Sequence, residues 1–402
     1  MPMPMKKRTV VRIAFFALFS VLALCVLPEA VRGANRILPG LSPLLNLGGA
    51  LGARRFIGLL WVPLLIVPLF KGRLFCWWVC PMGFAAETAS RVSPSKLRLA
   101  KIPWVGKALA LLIAASACAG YPLLIWLDPL CIFNGFFAAW RQPVTWATAT
   151  LSAGFFSILT LSLIIPNVWC HRLCPLGGLQ EWLTHCARAF RGRGKGASAG
   201  DTASPCVNRR VFMGFAVSGA AGLAGSKTLG VRQTTVVRPP SAAETAFNAL
   251  CSRCGNCMKA CPYGLIVPDL GETGIDGLLT PVIKFRSKNP KQEKFCFQEC
   301  TACTKVCPTG ALHALSVEVK KSTPIGVAKI DKAKCIAWEK NEYCVVCQEY
   351  CPYQAVTEEE RNGVQCPSID ESKCRGCGAC ESQCPALPIA VTITGDKAAR
   401  NG

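Results

Sequence analysis

Sixteen cysteines between Cys251 and Pro385 fall into four groups, each closed by Cys-Pro. The first, Cys251, Cys254, Cys257 and Cys261, is spaced C-x2-C-x2-C-x3-C-P, and Cys374, Cys377, Cys380 and Cys384 repeat that spacing. Between them lie Cys296, Cys300, Cys303, Cys307 and then Cys335, Cys344, Cys347, Cys351. In such a run three close thiolates hold three irons of a [4Fe-4S] cubane, while the cysteine before proline ligates a neighbouring cluster, so the groups work in pairs. Four groups imply four [4Fe-4S] clusters. Structural zinc also uses C-x2-C, but it joins two separated ligand pairs in a tetrahedron, which three successive cysteines suit poorly. A disulfide framework has no need of this strict repeat.

The irregularities are informative. Group two opens with x3 and group three with x8, so the extra residues must loop out and Cys335 is the least regular of the sixteen. Cys366, before Pro367, is a substitute ligand or, more simply, a structural thiol. Ile330-Asp331-x-x-Lys334-Cys335 recurs 39 residues later as Ile369-Asp370-x-x-Lys373-Cys374, which reads as a short strand feeding each cluster loop.

A second cysteine word stands outside this region. Phe75-Cys76-Trp77-Trp78-Val79-Cys80-Pro81-Met82-Gly83 and Trp169-Cys170-His171-Arg172-Leu173-Cys174-Pro175-Leu176-Gly177 share C-x3-C-P-x-G. Four thiolates from Cys76, Cys80, Cys170 and Cys174 could hold one further [4Fe-4S] cluster; zinc, a redox-active dithiol and packing cysteines are the alternatives. The remaining cysteines, Cys25, Cys118, Cys131, Cys186, Cys206 and Cys366, read as small buried hydrophobes.

The elements that position these residues follow from composition. The chain has 402 residues, 51% hydrophobic, with a net charge of +22. Residues 1–229 hold 24 Lys/Arg against 5 Asp/Glu, and residues 230–402 hold 21 against 18. The basic excess lies between apolar runs, where it reads as membrane orientation rather than nucleic-acid binding. The runs Val10–Leu27, Phe56–Phe70, Val105–Leu127 (bent at Pro122) and Thr145–Ile165 predict four spans, with Phe133, Phe136, Phe137 and Trp140 as an aromatic belt. Loop charges place the N-terminus and both C-x3-C-P loops in the cytoplasm. A linker over 191–230 carries Asn208-Arg209-Arg210 before an apolar run, which reads as a twin-arginine-like segment or a fifth span. The expected fold is thus a multi-pass α-helical membrane domain of four to five spans over 1–190. An α+β polyferredoxin domain of two ferredoxin-like two-cluster modules follows over 231–402. No C-x-x-C-H occurs, and His171, His185 and His313 lie outside the apolar runs, so no haem is expected.

Residues 10–186, with their two C-x3-C-P words, resemble the NapH-type membrane ferredoxin proteins. Residues 205–402 resemble NapG and its methylamine-utilisation relatives of the MauM type, so the chain reads as a fusion. It departs from NapH-type proteins in lacking their own ferredoxin tail. The resemblance implies a bacterial inner-membrane protein that takes electrons from the quinone pool and delivers them to a periplasmic cytochrome or reductase. It also implies nested pairing, group one with four and two with three, with sequential pairing left open. Of the acids beside the apolar runs, Glu29, Glu87 and Asp128, the candidate acceptor of a quinol proton is Asp128, with helix capping as its alternative. Two other classes of function remain: an accessory, maturation or redox-sensing protein for a partner metalloenzyme, and a ferredoxin-type subunit of a larger membrane oxidoreductase.

Overall fold

The structure, a computed structural model, describes residues 5–24, 37–53, 59–94, 104–118, 123–140, 146–192, 236–242, 247–275, 277–285 and 294–395, with a few positions between 216 and 224. The chain divides into two units, one of residues 1–232, 244–255 and 274–279, the other of 233–243, 256–273 and 280–402. Asn208-Arg209-Arg210, Cys25, Cys206 and Pro122 lie outside the described residues.

Unit 1 is helical: α1 (Met5–Leu24), α2 (Val62–Lys71), α3 (Pro81–Val92), α4 (Val105–Cys118), α5 (Pro129–Ala139), α6 (Trp146–Ile164) and α7 (Pro175–Gly192) are its longer elements, beside a further helix at Pro43–Ala53. α7 packs on α4 and α2, α6 on α5 and α3, and α1 on α3 and α5. Both Cys-Pro words do the same structural work. Cys80 and Cys174 are N-cap residues in extended conformation, and the prolines after them start α3 and α7. Proline is favoured there because its missing N–H is one that a first turn leaves unpaired anyway. Met82, Phe133, Trp169 and Leu176 form one apolar core with Cys80 and Cys174.

The expectation of a multi-pass membrane domain, and the inner-membrane location that went with it, is corrected here. Among the described residues no helix is long and apolar enough to cross a membrane. A span needs about 20 apolar residues. α1 has that length but begins with Lys6, Lys7 and Arg8 and carries Arg12. Among the described residues the second run is helical over the ten residues of α2. The third stops at Cys118 after fourteen, and Leu124, at φ 58°, precedes only a 3-10 turn at Ile125–Leu127. The aromatic belt is likewise corrected: Phe133 is fully buried and meets Phe137 edge-on at 4.8 Å, and Phe136 stacks on Phe155 at 4.1 Å.

Unit 2 consists of short elements. β1 (Ile266–Pro268) pairs antiparallel with β2 (Pro281–Ile283), and an isolated bridge joins Ala242 to Leu312. β3 (Val327–Ile330) pairs with β6 (Val391–Thr394), and β4 (Val356–Arg361) with β5 (Val364–Ile369). The β4–β5 hairpin turns at Asn362-Gly363, both at positive φ, as a tight hairpin requires. The same plan therefore occurs twice. The strand after one cysteine group pairs with the strand before the next, and the outer segments pair with each other. In the first copy that outer pairing is reduced to the single bridge.

Candidate metal centres

In unit 1 the two C-x3-C-P words are superposable in their bonding. Cys80 N donates to Phe75 O at 2.9 Å and Cys174 N to Trp169 O at 2.8 Å, both closing a wide π-type turn. Each second sulfur accepts one backbone hydrogen bond at 3.4 Å, Cys80 Sγ from Gly83 N and Cys174 Sγ from Gly177 N. Glycine suits both positions because the turn presses on them. A Cβ at Gly83 would stand 2.9 Å from Cys76 O, and one at Gly177 would stand 3.0 Å from Cys170 O.

The four thiols lie within one another's electrostatic reach. Burial and then the charges of Cys80, Cys174 and Cys170 push Cys76 well above an ordinary thiol, with Arg73 opposing. Burial brings Cys170 to about 12 and Cys80 to about 11. Thiols held so high stay protonated at neutral pH, so only a metal that displaces the proton makes them thiolates. Cys76 Sγ donates to Gln180 Oε1 at 3.3 Å, and Arg73 Nη1 donates to Cys170 O at 3.1 Å while pairing with Glu181.

The thiols of unit 2 sort by neighbour. Burial raises Cys303, and Cys296, Cys261 and Cys300 raise it further. Cys296 is raised by burial, with Cys300 and Cys261 adding to it. Burial pushes Cys347 up to about 12, with Cys335, Cys344 and Cys384 contributing. Cys380 is raised by burial and by Cys377, Cys374, Cys347 and Cys351. Cys261 thus stands with group two, Cys384 with group three and Cys351 with group four. Tyr263, two residues after Cys261, stacks on Phe297 at 4.3 Å. The nested pairing implied by the resemblance is therefore corrected to a sequential one, groups one with two and three with four. Sequence-adjacent groups share the hairpins β1–β2 and β4–β5, and that topology draws them together.

Backbone donors are aimed at these sulfurs in a repeated way. Cys261 Sγ accepts from Leu265 N at 3.4 Å, Cys307 Sγ from Leu312 N at 3.4 Å and Cys351 Sγ from Ala355 N at 3.3 Å, while Cys374 Sγ accepts from Ala328 N at 3.5 Å. The Ile-Asp-x-x-Lys-Cys repeat sets the loops: Cys335 N donates to Asp331 O and Cys374 N to Asp370 O, both at 3.0 Å. Cys335 is placed with Cys344, Cys347 and Cys384, whereas Cys366 is fully buried and its thiol donates to Ala337 O at 3.4 Å. Buried thiols in fours, with N–H groups trained on sulfur, fit an iron–sulfur cubane. Among the described residues no group of three or more His, Cys, Asp or Glu side chains is placed to hold a single metal ion.

Asp128 is fully buried and caps α5: it accepts from Leu130 N at 2.8 Å, Cys131 N at 3.3 Å and Ser42 Oγ at 2.6 Å. Burial raises its pKa against those three bonds. Two residues escaped the sequence reading. Lys320 is 2% exposed and bonds Cys296 through its side chain, which places an ammonium among the group-two thiols. Arg12, 5% exposed, pairs with Glu87; a lone cation in an apolar run is itself a signal.

Comparison with known proteins agrees with this chemistry. A 4Fe-4S dicluster domain model matches residues 250–312, and 4Fe-4S binding domain models match residues 367–389 and, in two segments, 56–100 and 146–194. The last pair spans both C-x3-C-P words. The methylamine utilization ferredoxin-type protein MauM of Methylophilus methylotrophus is 32% identical over 203 residues, 46% of this chain and 84% of the relative. The ferredoxin-type protein NapG of Escherichia coli is 35% identical over 210 residues, 47% of this chain and 87% of the relative, and that of Haemophilus influenzae is 31% identical over 212, 47% and 73%. No solved structure matches. These relatives align with the C-terminal part, where the paired cysteine groups lie. By that likeness the chain belongs to the NapG and MauM family of ferredoxin-type 4Fe-4S electron-transfer proteins.

Proposed function

We propose that the chain is a multi-cluster electron carrier with two kinds of cluster site. In unit 2 the ligand sets are Cys296, Cys300, Cys303 with Cys261; Cys335, Cys344, Cys347 with Cys384; and Cys374, Cys377, Cys380 with Cys351. Read from the sequence alone, and not as a set within unit 2, the spacing rule groups Cys251, Cys254 and Cys257, with Cys307 as the fourth ligand. A fifth set is Cys76, Cys80, Cys170 and Cys174, read with the NapH-type kinship of its two words. When bound, such cubanes exchange single electrons. The protein's own part is to present thiolates, shield them from water and aim N–H donors at sulfur, which tunes potential. That Cys351 neighbours the group-four thiols and Cys384 those of group three supports this reading, because an exchange of the fourth ligand is the mark of a two-cluster ferredoxin module.

The resemblance to NapG-type proteins supports quinol as the source of electrons and a periplasmic cytochrome or reductase as their recipient. The test is an anaerobically reconstituted full chain, assayed for iron and acid-labile sulfide and titrated under electron paramagnetic resonance. Five cubanes give about twenty irons per chain; stoichiometric zinc in place of iron overturns the reading. Rapid reduction by a quinol analogue supports the donor, and clusters that only dithionite reduces exclude it.

A further inference from the structure

Beside the thiols of unit 1 lies a cavity of about 320 Å³. Arg8, Arg12, Arg73 and Arg91 line it, with Cys76 and Cys170. The sulfurs of Cys80 and Cys174 do not. Its charge is unbalanced. Arg73 is engaged by Glu181, but Arg8, Arg12 and Arg91 converge on the single carboxylate of Glu87, with Arg8 at 3.2 Å and Arg91 at 2.8 Å. Two positive charges are left over. The Arg12 side chain is 5% exposed and its Nε has no hydrogen-bond partner. A buried guanidinium nitrogen without an acceptor is costly, and a planar donor fork matches an oxyanion best. Small-molecule sites start at about 300 Å³ and combine concavity with a few convergent polar groups. Ser90, Asn167 and His171 add those groups here.

We propose that this cavity binds a small molecule bearing an oxyanion, a carboxylate, phosphate or sulfonate, which pairs with Arg8, Arg12 and Arg91 while its body reaches the Cys76 and Cys170 side of the thiol cradle. The proposal deepens the reading of those four thiols as a cluster site and rests on it for its redox meaning. A bound anion there would touch the least buried edge of the cradle, since Cys76 and Cys170 are part-exposed while Cys80 and Cys174 are each 6% exposed.

The test uses the reconstituted full chain at low ionic strength, titrated calorimetrically with sulfate and, separately, with anthraquinone-2-sulfonate. Iron is counted in every sample. Saturable binding of either probe is expected, weakened at least tenfold in an R8Q/R91Q double variant of unchanged iron content. Arg8 is part-exposed and Arg91 exposed, so the change leaves the buried Arg12 paired with Glu87. Binding of sulfate alone assigns the site to a free oxyanion; tighter binding of the sulfonate assigns it to an organic anion. Absence of saturable binding, or equal binding in the double variant, overturns the proposal. So does binding to iron-free protein that disappears on reconstitution, because the arginines would then be countercharges in the cluster's own berth. If the double variant loses iron as well, R91Q alone, at the more exposed position, must still weaken binding or the proposal fails. Binding with no iron held by Cys76, Cys80, Cys170 and Cys174 keeps the anion site and removes the cluster.

Discussion

The two units hold thiols by opposite means. In unit 1 each Cys-Pro word is fixed between helices of 10 to 19 residues, and its second sulfur belongs to an apolar core built by those helices. In unit 2 the helices have four to six residues and the strands three to six. Elements that short are marginal alone, and much of what they surround is thiol. One cradle rests on long packed helices, the other on short elements gathered around thiols.

The sharpest way to break this comparison is to remove ligands from each. C377A/C380A should remove about four irons and melt unit 2 cooperatively, because metal binding there is folding free energy. C80A/C174A should also remove about four irons, yet leave the helical circular dichroism of unit 1 in place. Equal loss of structure in both variants would dissolve the distinction. Replacement of Cys351 by Ser should abolish the same resonance as replacement of Cys374, and not that of Cys335.

Glycine substitutions sharpen it further. Gly376 and Gly378 flank Cys377 at φ 66° and 85°; a Cβ would stand 2.3 Å from Gly326 O in the first case and 2.0 Å from a Phe285 ring carbon in the second. Left-handed strain and overpacking together make each Gly→Ala change cost about 3 kcal/mol. Gly83→Ala and Gly177→Ala, in ordinary helical turns with contacts near 3 Å, should cost about 1 kcal/mol. Denaturant midpoints measure both, and the reverse order would show that the unit 1 turns are the tighter ones.

Lys320→Met tests the electrostatics of unit 2 alone. It keeps the buried stem and removes the charge beside Cys296 and Cys303. Adding an electron to a site that has lost a nearby cation is harder, so the potential of that cluster should fall in a redox titration while iron content stays unchanged.

The candidate ligands were more legible than their surroundings. Cysteine spacing alone proposes sixteen candidate thiols and the repeat at Asp331 and Asp370, because cubane ligation imposes a local pattern on the chain. Pairing was not legible: it depends on which strands form hairpins, and β1 and β2 are only three residues each. The apolar runs misled for a similar reason. Hydropathy counts residues, but Leu124 at positive φ interrupts the third run, and Arg12 anchors α1 to Glu87. Lys320 gave no signal at all, since it sits in the polar stretch Val317–Ser322 and only tertiary packing buries it.

The smallest effect concerns the charge network beside the unit 1 cradle. Burial raises the Glu87 carboxyl, but hydrogen bonds from Arg12 and Arg91 and the charges of Arg12 and Arg8 outweigh it and leave the pKa lowered. A carboxylate whose pKa is depressed on folding stabilises the native state above its unfolded value, about 4.3. That contribution is lost as pH falls through the lower folded value. Arg91 is 60% exposed, so its i,i+4 pair with Glu87 is screened by solvent and worth only about 0.3–0.5 kcal/mol. Arg91→Gln should therefore lower stability by that amount at pH 7 and by nothing measurable once Glu87 is protonated. In unit 2, where short elements surround the candidate cluster ligands, acid should act through proton competition for sulfur and release iron. Stability followed by helical ellipticity, and iron release followed by absorbance, should separate on acidification; coincident loss would mean that unit 1 also depends on its metal.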